Sequence, residues 1–205
     1  QSEQRLLWWG FCLLWLGGTW PYQAVLQAQA YYQASLPDLS FLVLMMFTWP
    51  LLGCHCAQVL SGLAKAAGFT RRIHLALGIN TCVGLAFLVQ DAIPMQPEGR
   101  RVAFMCLAAC VAASQILLEP ALFGLAAAIS SPAASGGATQ AMMVGNTTAG
   151  VVVTLVSILT RLFSGGANPS PEQQRSSARA FFGVQIAYSL LSVLIFLNMM
   201  RRSPR

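Results

Sequence analysis

Long apolar stretches separated by short polar connections make up almost the whole chain. A transmembrane helix needs roughly 20 predominantly apolar residues, and six stretches are long enough to qualify. The predicted spans cover residues 6–36, 39–63, 73–93, 102–129, 138–163 and 180–200. Gly17, Gly18 and Pro21 interrupt the first span, and Pro50 lies near the middle of the second. This pattern predicts an all-α, polytopic membrane bundle of six transmembrane helices.

The composition supports a membrane location. Of the 205 residues, 56% are hydrophobic and 9% are charged. Soluble domains carry about 25% charged residues, so we expect an integral membrane protein surrounded by the lipid bilayer. The net charge of +6 lies in the connections, and no basic patch is interleaved with aromatic residues. Nucleic acid is therefore not an expected partner.

The cations in the connections indicate an orientation. With the amino terminus in the cytoplasm, the inner side would carry seven cations: Arg5, Lys65, Arg71, Arg72, Arg201, Arg202 and Arg205. The outer side would carry five: Arg100, Arg101, Arg161, Arg175 and Arg179. Since cytoplasmic loops are enriched in Lys and Arg, both termini are predicted to be cytoplasmic, and the plasma membrane is the expected location. The connection 164–179 is rich in Gly, Pro and Ser, which predicts a flexible loop outside the membrane.

A single carboxylate stands out in the fourth span. Glu119 has about seventeen apolar-run residues before it and ten after it. An acid there costs about 3 kcal/mol to insert, so it normally faces a cavity or a partner and marks a functional site. Pro120 follows and predicts a local kink, because proline lacks a backbone donor. The alternative is a packing role, with Glu119 protonated or hydrogen-bonded to a neighbouring helix.

Amide and phenol side chains are concentrated in the first span. Gln23 and Gln27 are four residues apart and share one helical face. The pattern favours a wet or ligand-lined face. The alternative is that the later polar residues of this span already lie at the outer interface; these are Gln29, Tyr31, Tyr32 and Gln33.

The fifth span carries three adjacent polar residues. Asn146, Thr147 and Thr148 match a glycosylation sequence, but a glycan cannot be attached within a span. They are interpreted either as polar lining or as partners in interhelical hydrogen bonds. Small residues, including Gly124, Gly145 and Gly150, predict close helix packing, because lipid gives helices no hydrophobic reason to associate.

Catalytic and metal chemistry find little support. The stretch Cys54-His55-Cys56 offers an incomplete ligand set for zinc, so no metal site is predicted. The six cysteines lie in or beside apolar runs and are interpreted as small packing residues. There is no Gly-x-Ser-x-Gly or His-Glu-x-x-His sequence. We therefore expect neither an enzyme nor a cofactor.

Three stretches resemble the equilibrative nucleoside transporter family. They are LGGTWPYQAVLQAQAYYQASL (residues 16–36), LLEPALFGLAAA (residues 117–128) and AMMVGNTTAG (residues 141–150). They resemble the start and aromatic pair of that family's first helix, the Leu-Phe-Gly-Leu-Ala of its fourth, and the Met, Gly and Ala-Gly pattern of its fifth. Tyr22 and Gln23 stand where Trp-Asn is usual, which leaves substrate preference open.

The resemblance implies an architecture and a site. Members have eleven helices arranged as six plus five in a major-facilitator-like fold, so this chain would be the amino-terminal half. The substrate site would lie at mid-membrane between the two bundles. Glu119 stands where a glutamine contacts the nucleobase, and Gly145 and Gly150 match glycines needed for close packing. The other implied substrate-binding residues are Gln115, Tyr22, Gln23 and Leu26, with Phe41 and Leu44 of the second span as further apolar contacts.

The implied function is transport of nucleosides or nucleobases by alternating access. The acid at Glu119 adds proton coupling as a hypothesis. The chain begins at Gln1 and stops after the sixth span. We therefore expect a fragment, a truncated gene model or a half-transporter, with the carboxy-terminal bundle as missing partner. The alternatives are a self-dimerising six-helix carrier of another small solute and a non-transporting membrane scaffold.

Overall fold

A computed structural model describes residues 2–32, 39–61, 68–90, 92–129, 135–166 and 170–202. Throughout these ranges the chain is helical apart from short connections, and they contain no strand. The helices are α1 (Ser2–Tyr32), α2 (Leu39–Ser61), α3 (Phe69–Gln90), α4 (Pro97–Ile129), α5 (Ser135–Phe163) and α6 (Pro171–Arg202). The prediction of an all-α fold is confirmed.

Four of these helices are long and apolar enough to cross a membrane. The qualifying segments are Phe69–Gln90, Pro97–Ile129, Gly137–Phe163 and Glu172–Arg201, in α3 to α6. The prediction of an integral membrane protein is supported, but six spans are not shown. In α1, tryptophans, glycines and amides dilute the apolar residues over its 31 positions. Neither α1 nor α2 contains a qualifying segment among its described residues.

The prediction of a loop over residues 164–179 is wrong for its second half, because α6 already begins at Pro171. Ser170 Oγ accepts a hydrogen bond from the backbone N–H of Gln173 at 3.3 Å, and Gln173 Oε1 accepts one from the backbone N–H of Ser170 at 2.8 Å. This reciprocal pair is a capping box, which satisfies two donors at a helix start. Proline suits the first helical position, so Pro171 here starts a helix.

Helix α1 lies at the centre of the bundle and contacts each of the other five helices. Its most extensive neighbour is α5, which presents small buried residues to it: Ala138, Ala141, Gly145 and Ala149. A Cβ at Gly145 would overlap the carbonyl oxygen of Cys12. Only glycine therefore allows the two backbones to approach this closely, as in other membrane helix pairs.

The helix contacts show an internal pseudo-symmetry. Exchanging α1 with α4, α2 with α5 and α3 with α6 converts the α1–α5 and α1–α6 contacts into the α4–α2 and α4–α3 contacts. The α1–α4 and α3–α6 contacts are each converted into themselves. The exchange fails for the α1–α3 and α5–α6 pairs. The two halves of the chain therefore pack in related ways.

The exchanged helices run antiparallel. Trp15 of α1 contacts Phe123 of α4, whereas Gly18, further along α1, faces Leu118, which comes earlier in α4. Between α3 and α6, His74 contacts Phe196, and Phe87 contacts Phe182. The second three-helix unit is therefore inverted relative to the first.

Candidate functional site

Two apolar clusters fill the bundle, one towards each end. The first includes Trp20, Phe87, Phe104 and Phe182, and the second includes Phe11, Ile73, Leu122 and Phe196. On α3, α4 and α6, polar residues separate the two clusters. We call this region the middle polar layer and define it by Asn80, Ser114, Gln115, Gln185 and Ser189. Within it, Asn80 and Ser114 are fully buried, and Gln185 and Ser189 are 1% exposed.

One side of the middle polar layer faces the contact between α1 and α4. Gln115 Nε2 donates a hydrogen bond to the carbonyl oxygen of Gly18. A Cβ at Gly18 would overlap the Leu118 side chain, so the absence of a side chain at Gly18 permits the close approach. One turn away, the rings of Trp15 and Phe123 pack edge to face with centroids 5.2 Å apart.

Glu119 is exposed between two residues of this contact, a position that we call the opening. Gln115, Glu119 and Phe123 are spaced four residues apart and share one face of α4. Gln115 and Phe123 both contact α1, whereas Glu119 between them is exposed. Its carboxylate makes no hydrogen bond or ion pair with any residue that the structure describes. The Glu119 carboxylate is thus exposed at the middle of α4, on the helix face that also carries Gln115 and Phe123.

The predicted α1 residues continue from this opening along the helix. Tyr22 is half-buried and packs edge to face on Phe47 of α2, with centroids 4.8 Å apart. Gln23 is half-buried and Leu26 is 36% exposed. Leu26 lies eight residues beyond Gly18, about 12 Å along the helix axis. Gln115 therefore contacts Gly18, Tyr22 lies one turn beyond Gly18 in α1, Glu119 lies one turn beyond Gln115 in α4, and Leu26 lies further along α1.

Some of the other predicted residues are not described, and others are exposed. The side chains of Gln27, Gln29, Tyr31 and Gln33 fall outside the described part of the chain. Phe41 and Leu44 of α2 are 62% and 63% exposed.

On α5, Asn146 and Thr147 are exposed, and Thr147 Oγ donates to the carbonyl of Met143 in its own helix at 3.1 Å. At Thr147 this hydrogen bond lies within α5, not between helices.

The glycines predicted to pack helices differ in their surroundings. Gly145 lies against the backbone of α1, and a Cβ at Gly124 would overlap the ring of Phe69 of α3. A Cβ at Gly150 would meet open space, so the role assigned to this residue in close packing does not hold within the bundle.

The cysteines are free thiols, and their surroundings differ too. Only Cys12 is buried, Cys54 is half-buried, and the other four are exposed: Cys56, Cys82, Cys106 and Cys110. The interpretation of all six as packing residues therefore fits Cys12 best. The described residues contain no group of three or more His, Cys, Asp or Glu side chains that could hold a metal ion.

A second polar group, which the sequence analysis missed, surrounds Pro120. Because proline has no N–H, the carbonyl of Ile116, four residues earlier, loses its partner within the helix. Gln58 Nε2 of α2 donates to this carbonyl at 3.2 Å, and Arg72 Nη2 of α3 reaches it at 3.5 Å. Arg72 Nη2 also donates to Gln58 Oε1 at 3.1 Å. The signal in the sequence was the proline, because it leaves the carbonyl four residues earlier without a hydrogen-bond donor in the helix.

Arg72 corrects one part of the sequence analysis. It was assigned to the connection on the inner side of the membrane, yet it lies in α3 and is 5% exposed. An arginine beside an apolar run resembles a loop residue in sequence. In the structure its long side chain runs inward to the broken turn of α4.

The other side of the middle polar layer lies between α3, α4 and α6. Ser114 Oγ lies 2.5 Å from Asn80 Oδ1 and 2.7 Å from the Val111 carbonyl oxygen, and its hydroxyl can donate to either. The α3–α6 ring contacts place Gln185 beside Gly84 and Ser189 level with Asn80. Four buried polar atoms here have no partner among the described residues: Asn80 Nδ2, Gln185 Nε2, Gln185 Oε1 and Ser189 Oγ. This side is closed and incompletely hydrogen-bonded.

Comparison with known proteins adds no assignment. No protein-family model matches the chain, and no curated protein matches it either.

Proposed function

We propose that this chain is the six-helix, amino-terminal half of a membrane carrier for nucleosides or nucleobases that works by alternating access. The observation that carries the proposal is the exposed carboxylate of Glu119. It lies at mid-helix in α4, between two residues that pack on α1.

The arrangement of helices supports a carrier. Many carriers are built from inverted repeats, with their sites near the membrane midplane on interrupted helices. Here α1 and α4 are the exchanged pair, run antiparallel and each contain an internal proline, Pro21 and Pro120. Both prolines lie close to the level of Gly18 and Gln115. The two prolines thus flank the hydrogen bond between Gln115 and Gly18, one in each helix.

The chemistry of the opening suits a nucleobase. An ionised Glu119 accepts hydrogen bonds from an exocyclic amine or a ring N–H, and a protonated one donates to a ring nitrogen or carbonyl. Tyr22 supplies an aromatic surface against which a base can pack. Gln115 already donates one N–H to Gly18, which leaves its second N–H and its amide oxygen for a ligand. The three stretches that resemble equilibrative nucleoside transporters favour this substrate class over other small solutes.

In this proposal α1 and α2 also cross the membrane, which makes six spans in a major-facilitator-like half. The polar residues of α1 then face the site between two bundles, which accounts for its lower apolarity. The second bundle is a carboxy-terminal part of the same protein. The membrane is the plasma membrane, with both ends of this chain in the cytoplasm.

Proton coupling belongs to the same proposal. Glu119 is the one acid of α4 outside its first turn, and a carboxyl can carry a proton across with the substrate. Uptake by the whole protein should then depend on the external pH, and Glu119→Gln should remove that dependence. Uptake that is independent of pH in both proteins would contradict coupling.

The experiment that tests transport is uptake of labelled adenosine, uridine and hypoxanthine. Cells expressing the 205-residue chain are compared with cells expressing the longer protein that contains it. Glu119→Ala should lower saturable uptake at least about tenfold, whereas Glu98→Ala, which removes an exposed acid at the start of α4, should not. Uptake by the short chain, together with a dimer on purification, would instead indicate a self-assembling carrier. No uptake by either protein would contradict the proposal and favour a scaffold.

A further inference from the structure

The break at Pro120 exposes a backbone acceptor inside the bundle. The Ile116 carbonyl is the acceptor that the proline leaves unpaired, since residue 120 is four positions later and has no N–H. Within a membrane there is no bulk water to replace the missing donor. Some other group must therefore satisfy this oxygen if the break is to persist.

Two neighbouring helices supply that group. Gln58 of α2 donates to Ile116 through Nε2 at 3.2 Å, while its Oε1 accepts from Arg72 Nη2 at 3.1 Å. The bond from Arg72 fixes the orientation of the Gln58 amide, because only one flip presents oxygen to the guanidinium and nitrogen to the carbonyl. Arg72 also reaches the carbonyl itself at 3.5 Å, a long hydrogen bond.

The burial of Arg72 supports a specific role. Arg72 is 5% exposed, although it carries a charge and lies in a helix that is long and apolar enough to span a membrane. Charged residues in such helices normally pair with one another or with backbone carbonyls and mark functional positions. Among the described contacts, the partners of its Nη2 are an amide oxygen and a backbone carbonyl.

We propose that Arg72 and Gln58 form a carbonyl clamp, which satisfies the Ile116 carbonyl that Pro120 leaves without a partner and thereby positions Glu119. The clamp holds the one carbonyl that loses its donor to the proline, and Glu119 lies three residues beyond it, immediately before Pro120. Arg72 and Gln58 are thus positioning residues that do not touch the substrate. The positioning part of this inference rests on the proposed transport function, whereas the clamp itself does not.

The clamp is tested by a double-mutant cycle on the thermal unfolding of the purified full-length protein. Gln58→Leu should lower the melting temperature by about 2–4 °C, because it removes the donor from Ile116. In Pro120→Ala the restored N–H of residue 120 donates to the Ile116 carbonyl. Adding Gln58→Leu to this variant should therefore lower the melting temperature by less than half as much. Equal shifts in the two backgrounds would overturn the clamp. Gln140→Leu, which replaces an exposed amide on α5, is the control and should act equally in both.

Arg72 is tested in the same way with Arg72→Met and Arg72→Lys. Both variants should lower the melting temperature of the protein that carries Pro120. Arg72→Lys should lower it less than Arg72→Met, because a lysine still donates a hydrogen bond although it has no planar fork. Full stability of Arg72→Met would overturn the role of Arg72.

Uptake kinetics test the positioning. Gln58→Leu should raise KM for the transported nucleoside roughly tenfold, because groups displaced by about an ångström lose much of their effect. Pro120→Ala should restore the melting temperature of Gln58→Leu without restoring KM, since a continuous α4 moves Glu119. An unchanged KM in Gln58→Leu would overturn the positioning. If wild-type protein shows no uptake, the transport proposal fails while the melting cycle still decides the clamp.

Discussion

The two sides of the middle polar layer use the same kinds of side chain in opposite ways. On the α1–α4 side, the Gln115 amide donates to the Gly18 carbonyl, three residues before Pro21, and the Glu119 carboxylate is exposed. On the α3–α4–α6 side, amides and hydroxyls are almost fully buried, and several of their atoms have no partner. The first side is exposed and its amide is hydrogen-bonded. The second side is buried, and several of its polar atoms have no described partner. The two sides of the middle polar layer therefore differ both in exposure and in how completely their polar atoms are hydrogen-bonded.

The largest expected difference between the two sides is in transport. Glu119→Ala should lower uptake by the full-length protein at least about tenfold, because a hydrogen bond to a charged group contributes about 1.5–3 kcal/mol. Gln185→Leu, on the closed side, should leave uptake within about twofold of wild type. Labelled nucleoside uptake, corrected for protein at the cell surface, measures both. Equal losses would remove the functional distinction between the two sides.

The next largest effect is on stability within the closed side, where two serines allow a matched comparison. Ser114→Ala should destabilise the protein by about 1–3 kcal/mol, because it leaves the buried Asn80 carboxamide without its partner. Ser189→Ala removes a buried hydroxyl whose oxygen has no described partner, so it should be neutral or stabilising. Chemical unfolding in mild detergent measures both. A cost at Ser189 equal to that at Ser114 would show that a bound water or other group satisfies Ser189.

A smaller effect of opposite sign is expected at Gln185. Replacing it with leucine removes two buried polar atoms that have no described partner and keeps a similar volume beside Gly84. We expect the melting temperature to rise by about 2–4 °C, which corresponds to about 1 kcal/mol in a chain of this size. A fall in melting temperature would mean that the closed side is hydrogen-bonded after all, and the contrast between the two sides would narrow.

The smallest effect is expected at Gln115. Its hydrogen bond joins α1 to α4, but the Gly18 carbonyl is also positioned to accept from the backbone within α1. Gln115→Leu should therefore cost only about 0.6 kcal/mol, the average for interhelical hydrogen bonds in membranes. Thermal unfolding measures it. A cost comparable to that of Ser114→Ala would show that the open side is held by this bond and not by the Trp15–Phe123 packing.

The sequence predicted elements better than it predicted contacts. The apolar runs predicted the six helices found among the described residues, whereas the role of Glu119 stays a prediction. The start of α6 was missed because Gly, Pro and Ser suggest a loop, whereas Ser170 and Pro171 form a helix start. The local pattern contained the capping signal, so this miss was avoidable.

Other misses were not avoidable from local patterns. Gln58 and Ile116 are 58 residues apart, and nothing in either stretch indicates that they meet. Asn80, Gln185 and Ser189 each look like an isolated polar residue in an apolar helix. Their common depth depends on how antiparallel helices are aligned, which follows from packing between distant segments. The middle polar layer is therefore a property of the tertiary structure.

The pairing of α3 with α4 also bears on how the chain enters a membrane during synthesis. These neighbours are joined by a short connection and touch along their length, from Phe87 against Phe104 to Phe69 against Gly124. Asn80 and Ser114 bond to each other between these points. Inserting a helix with a polar residue at its centre into lipid costs free energy. In this hairpin the polar residue of each helix has a hydrogen-bonding partner on the other helix. The two helices are thus suited to leave the translocation channel as a pair, before α6 has been made.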